Sequence, residues 1–234
     1  MARHPLQKLS SPSRGFSALV HIAGIISFSL SFKYLHDFPS IINESYGWHW
    51  QYLTILGLTV AHATFVSGLL ADITGSPTLF TIKNTLSLCS TPLEVLISIL
   101  YWGISAIDKT LVVPPEIYIA PLADIGFHAM PSILLTVDLL LLSPPWTIRA
   151  LPAMGLSSGI AVAYWAWVEN CFQHNGFYPY PLLDQLDIPQ RVALFTGAAI
   201  TMTGSTVMLK WLYGKVNGID GKHLRSTPQH IKGQ

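Results

Sequence analysis

The sequence predicts an all-α membrane protein, a bundle of six transmembrane helices with both termini cytoplasmic. Three observations carry that prediction. Thirteen basic and twelve acidic residues in 234 are under half of the roughly one-quarter charged share usual in soluble domains. Half of the residues are hydrophobic and the mean hydropathy is +0.45. Six apolar stretches of 20 to 22 residues each suffice to cross roughly 30 Å of hydrocarbon. An ordinary soluble enzyme, a disordered regulator, a coiled coil and a disulfide scaffold are all excluded on these grounds. A net charge of +1 leaves no basic surface for nucleic acid.

The elements follow in order. A cytoplasmic polar tail, residues 1–15, precedes the first span, Phe16–Leu35. No small-residue cleavage site closes that span, so it reads as retained rather than as a removed signal peptide. The second and third spans are Trp50–Leu70 and Ser87–Ile107, and the fourth is Leu122–Leu142. The fifth, Ala150–Cys171, carries Gly155 and Gly159, a small-xxx-small pair suited to close helix packing. The sixth is Val192–Tyr213, and a second cytoplasmic tail covers 214–234. The spans together form one transmembrane domain, residues 16–213.

Positive charge sets the orientation. With a cytoplasmic N-terminus, ten basic residues (Arg3, Lys8, Arg14, Lys83, Arg149, Lys210, Lys215, Lys222, Arg225 and Lys232) fall on that side. Only Lys33, Lys109 and Arg191 fall on the other. Cys89 and Cys171 then lie at opposite faces, which argues against an intrachain disulfide. Tyr34, Trp48, Trp50, Tyr52, Tyr101, Trp102, Trp165 and Trp167 gather at the outer ends of spans, where an aromatic belt at the headgroups accounts for most of them.

Polar groups inside spans are costly, so each needs a partner, water or a task. Thr54 lies about 6 Å, and His128 about 9 Å, below the outer surface. The two share a level if spans two and four are neighbours. Asp124 sits one helical turn above His128 on the same face. Glu169 and Asn170 lie near the outer end of span five, followed by His174-Asn175-Gly176. A deeper group comprises His21, His62, Glu94 and Asp138. For Thr54 the ordinary expectation is a bond back to the carbonyl four residues earlier. A threonine and a histidine at one depth can also act as nucleophile and base, because the hydroxyl attacks only once its proton is taken. The deeper group suggests a proton or ion path instead, and His21 with His62 come nearest to a haem-ligating pair, although no motif supports one. No zinc spacing, phosphate loop or G-x-S-x-G elbow is present, so no metal or cofactor is expected.

Three segments resemble the androgen-induced gene family of multi-pass membrane proteins, which includes the androgen-dependent TFPI-regulating protein. They are Gln51-Tyr52-Leu53-Thr54, then Asp124-Ile125-Gly126-Phe127-His128-Ala129-Met130-Pro131 continuing through Asp138 to Ser143-Pro144-Pro145, and Tyr164-Trp165 through Asn175-Gly176-Phe177-Tyr178-Pro179-Tyr180-Pro181. Order and spacing carry the similarity from about Phe16 to Tyr213, and the surrounding sequence is similar to a fungal branch. The resemblance implies a threonine hydrolase that cleaves fatty acid esters of hydroxy fatty acids within the membrane. By matching position, Thr54 is the nucleophile and His128 the general base. Asp124 or Glu169 could orient His128, or both could be structural. Asn170, Asn175, Trp50 or a backbone N–H freed near Pro131 are candidate oxyanion donors. The implied partners are the bilayer and a branched fatty acid ester. The expected compartment is the endoplasmic reticulum, with the plasma membrane second. The competing expectations are a transporter or ion-conducting bundle built on the intramembrane Glu, Asp and His residues, and a non-catalytic membrane regulator.

Overall fold

A computed structural model describes residues 14–146 and 148–218. The described chain is all-helical: α1 (Arg14–Asp37), α2 (Leu53–Thr74), α3 (Pro77–Asp108), α4 (Pro121–His128), α5 (Met130–Leu142), α6 (Ala150–Asn175), α7 (Pro181–Asp184) and α8 (Ile188–Asn217), with short 3₁₀ turns at Ile41–Glu44, Trp48–Gln51 and Lys109–Leu111. Five of these helices are long and apolar enough to cross a membrane, or six if the bent pair α4–α5 counts as one span. The tail segments 1–13 and 219–234, with Arg3, Lys8, Lys222, Arg225 and Lys232, lie outside the described residues.

The helices are built inside out relative to a soluble bundle. On α1 the buried positions are His21, Gly24, Phe28 and Ser31, whereas Leu19, Ile26 and Leu30 are exposed. That polarity suits a surface facing lipid, where apolar side chains need no shelter. α2 runs through the middle, packed against α1 and α3. Its Gly68 lets α1 approach closely: a Cβ there would lie 2.5 Å from His21 Nε2.

Two expectations about element bounds change. The third helix begins at Pro77, ten residues before the expected Ser87. Gly75 ends α2 with its N–H on the Ala71 carbonyl, Ser76 caps α3 through the Leu79 N–H, and Pro77 occupies the first turn. These are strong stop and start signals, and they leave only two residues between the helices. Lys83 therefore belongs to a helix and is buried rather than placed in a cytoplasmic loop. Likewise the fourth crossing is not one rod. It breaks at Ala129 (φ −123°, ψ −46°) and bends by 41°, because Pro131 has no N–H and its ring collides with the carbonyl four residues back.

Buried charges cluster at one end of the bundle. His21 Nδ1 meets Asp72 Oδ2 at 2.7 Å, and His21 Nε2 meets Asp138 Oδ1 at 3.1 Å. Lys83 Nζ lies 2.6 Å from Asp138 Oδ2 and donates to Ser143 Oγ at 2.7 Å. Arg14 donates to the Asp72 carbonyl at 2.9 Å, and Asn217 to that of Leu140 at 3.0 Å. The first and last crossings thus start and finish at the same end. Above this cluster Phe28, Leu58, Ala61, Phe65 and Leu135 form a fully buried apolar layer. Over the same stretch α3 carries the buried polar side chains Ser87, Ser90, Thr91 and Glu94, so polar groups accompany the apolar ones between Asp138 and the opposite end, where Thr54 and His128 lie. Both His21 nitrogens are occupied, so it is not free to pair with His62 on haem.

Candidate active site

The site begins in the loop that enters α2. Gly47 and Trp48 both take positive φ (82° and 48°), a conformation that costs a non-glycine residue about 1–2 kcal/mol. α6 and its end hold this loop in place. Asn175 accepts from the Tyr46 N–H at 2.8 Å and donates to the Tyr46 carbonyl at 3.0 Å, while His174 stacks on the Tyr46 ring at 4.0 Å. Within the loop, the Gln51 amide donates to Ser45 Oγ at 2.7 Å and to the Trp48 carbonyl at 3.0 Å. Burial pushes the His49 imidazole down to about 4, so it is neutral where it approaches Asn43 Oδ1 at 3.1 Å.

Two further bonds from α6 decide the state of Thr54. Trp167 Nε1 donates to the Trp50 carbonyl at 2.9 Å, and Tyr164 Oη donates to the Gln51 carbonyl at 2.9 Å. The Trp50 carbonyl is the acceptor that a back-bonding Thr54 would use. The other three threonines of α2 follow the ordinary rule: Thr59, Thr64 and Thr74 each donate four residues back at 2.7 Å. Thr54 does not. Its hydroxyl, buried from solvent, instead faces Tyr180, whose phenol also lies against the Leu53 and Thr54 backbone.

His128 closes α4. Its Nδ1 lies 2.9 Å from Asp124 Oδ1 and 3.1 Å from the Asp124 carbonyl. Both neighbours are acceptors, so Nδ1 carries the proton and Nε2 is the basic nitrogen. Lys109 Nζ donates to the second Asp124 oxygen at 2.8 Å. The imidazole lies flat on Tyr101, with ring centroids 3.4 Å apart and planes within 6°. The helix break places this residue, because the His128 carbonyl has left the helical ladder. It accepts from Ser98 Oγ and, at 3.2 Å, from Trp102 Nε1, both on α3.

Two apolar cavities meet here. One, of about 470 Å³, is lined by Thr54, His128, Tyr52, Ile55, Ile119 and Phe127. The other, of about 110 Å³, is lined by Thr54, Leu96, Leu100, Phe195, Ala198 and Met202. Thr54, Tyr101, Val112 and Tyr180 belong to both walls. The expected pair Thr54 and His128 thus faces one space, with Asp124 behind the histidine.

Other expected residues lie elsewhere. Glu169 is not an orienting partner of His128: it pairs with Arg191 at 3.1 Å and accepts from Tyr178 Oη at 2.8 Å and Trp165 Nε1 at 3.0 Å. Asn175 is spent on the entry loop, and Asn170 donates to Tyr46 Oη at 3.2 Å. Trp50 contributes a carbonyl that is already filled. Near Pro131 the His128 carbonyl leaves the ladder for Ser98 and Trp102, and the Ser132 N–H that would have bonded it is released as well. Glu94 is fully buried against Gly57 and Ile97, apart from the His21–Asp138 cluster. Tyr101 was expected only in the aromatic belt, and Lys109 and Tyr180 had no expected role. Tyr180 stands inside a segment quoted for the resemblance, which was the available signal. Lys109 read only as a loop charge.

Comparisons with known proteins agree on kinship. The model of a family described as FAR-17a/AIG1-like protein matches residues 16–214. A UPF0641 membrane protein of Schizosaccharomyces pombe is 37% identical over 206 residues, covering 87% of this chain and 92% of that protein. No solved structure matches. The chain belongs to the FAR-17a/AIG1-like family and is an integral, multi-pass membrane protein.

Proposed function

We propose that this family member is an intramembrane lipid-ester hydrolase with Thr54 as nucleophile, His128 as general base and Asp124 as the carboxylate that orients the base. The observation that carries the reading is the Thr54 hydroxyl. It is withheld from the back-bond its neighbours make and turned into a junction of two apolar cavities, the larger of which His128 also lines. A hydroxyl free of the helical back-bond, sharing a cavity with an imidazole of fixed tautomer, is the arrangement nucleophilic catalysis needs.

The chemistry is acyl transfer. His128 Nε2 takes the Thr54 proton as Oγ1 bonds to the ester carbonyl carbon. The tetrahedral intermediate collapses, and the imidazolium returns the proton to the departing alkoxide. A water, deprotonated by the same nitrogen, then attacks the acyl-threonine, and the imidazolium returns that proton to Thr54 Oγ1 as the acid is released. Asp124 holds Nδ1–H and offsets the imidazolium charge, and Lys109 fixes the carboxylate. Two apolar limbs meeting at Thr54 suit an ester flanked by two hydrocarbon chains, such as a fatty acid ester of a hydroxy fatty acid. The endoplasmic reticulum is the compartment that goes with this reading.

The test uses membranes carrying the full chain, a fluorophosphonate probe and a branched fatty acid ester. Wild type is expected to label and to turn the ester over. Thr54→Ala and His128→Ala should accumulate normally and lose both activities. Labelling that survives Thr54→Ala would remove the nucleophile assignment.

A further inference from the structure

Attack on an ester carbonyl moves a bonding pair onto its oxygen, and catalysis requires hydrogen-bond donors about 3 Å from that oxygen. Resting on the hydrolase reading above, we propose that the Tyr180 hydroxyl is a catalytic donor to this oxyanion, acting with the backbone N–H groups of Leu53 and Thr54.

The donors are assembled by the same bonds that release Thr54. In the first turn of α2 the Ile55 and Leu56 N–H groups both go to the Tyr52 carbonyl, at 3.1 and 3.2 Å, and the Tyr52 N–H goes to His49 at 3.1 Å. Leu53 and Thr54 lie between, and among the described residues their N–H groups have no backbone acceptor. The carbonyls just before them, Trp50 and Gln51, are taken by Trp167 and Tyr164. Two amides therefore point out of the helix start beside the nucleophile, where the helix dipole also favours negative charge. The Tyr180 phenol lies against these amides and the Thr54 hydroxyl, and it belongs to the walls of both cavities. A substrate carbonyl delivered to Thr54 from either limb therefore enters a space that this group helps to wall. Burial pushes the Tyr180 phenol up from its ordinary value, which keeps the proton in place for donation. Tyr180 gives a hydrogen bond only. The proton that moves is the one from Thr54 to His128.

Two other candidates fail by position: Asn170 and Asn175 are bound into the entry loop. A tyrosine brought in from the loop before α7, more than a hundred residues from Thr54, could not be singled out by spacing.

Tyr180→Phe in the full-length protein keeps the ring and removes the donor. With para-nitrophenyl decanoate as substrate, kcat is expected to fall about 10²-fold, the usual effect of deleting one oxyanion donor, while KM stays within about threefold. A long-chain alkyl trifluoromethyl ketone, which captures the nucleophile as a tetrahedral oxyanion, should lose affinity in parallel. The matching alkyl secondary alcohol, which cannot form one, should bind as before. A kcat within about threefold of wild type, or equal weakening of ketone and alcohol, would overturn the proposal. If the variant does not accumulate, 3-fluorotyrosine at position 180 provides an isosteric, stronger donor. Tighter ketone binding then supports the role and unchanged binding overturns it. A wild-type protein that neither hydrolyses the ester nor captures the ketone would instead bring down the hydrolase reading itself.

Discussion

At the scale of the residue, the informative comparison is between Thr54 and the threonines that share its helix. Threonine in an apolar helix finds its own backbone four residues back, as Thr59, Thr64 and Thr74 do. For Thr54 that acceptor lies in a 3₁₀ turn and is filled by an indole. The sequence shows the threonine, the histidine and the acid one turn from it, but not the competition for the Trp50 carbonyl, which depends on a tryptophan 117 residues away. That is why the ordinary expectation for Thr54 could not be rejected from spacing. Asp124 was legible through helical periodicity, whereas Glu169 was equally plausible until Arg191 claimed it. Asp124→Asn tests the difference. The amide can no longer fix Nδ1 as the donor, so ester turnover should fall on the order of 10²-fold or more, with folding unchanged. Glu169→Gln should leave turnover near wild type and lower thermal stability slightly.

At the scale of the element, the break between α4 and α5 matters most. The six apolar stretches were readable from hydropathy, because crossing a bilayer forces continuous apolar runs. What hydropathy cannot show is where a run bends. Pro131 marked the place, yet the consequence came from packing: the His128 carbonyl turns out of the ladder and is caught by Ser98 and Trp102 on α3. The base is thereby anchored through its backbone as well as through Asp124. Pro131→Ala restores an N–H and removes the ring clash, favouring a straighter helix. The expected result is preserved or raised thermal stability with turnover reduced at least tenfold, about 1.4 kcal/mol of lost transition-state stabilisation. Equal turnover in wild type and Pro131→Ala would show that the bend does not position the base.

On the scale of the whole molecule, the buried ion pairs gather at two ends of the bundle, with Glu94 buried between them. The cluster of His21, Asp72, Lys83 and Asp138 ties α1, α2, α3 and α5 together. Removing one partner from such a buried network costs about 3–5 kcal/mol, because the opposite charge is left unpaired. Lys83→Met should therefore lower the unfolding temperature markedly in detergent, and adding Asp138→Leu should recover part of the loss. Lys83 itself illustrates the limit of charge counting: as a basic residue it fitted a cytoplasmic loop, and only the two-residue turn at Gly75 and Ser76 places it inside the bundle. The opposite end holds the proposed chemistry, within lipid yet near the surface from which water must come. The central claim, that Thr54 is a nucleophile, is tested most directly by mass spectrometry of the protein after reaction with a fluorophosphonate in native membranes. The account predicts a phosphonyl adduct on the Thr54 side chain, absent in His128→Ala and after heat denaturation. An adduct on another residue, or no adduct in a protein that still hydrolyses lipid esters, would contradict it.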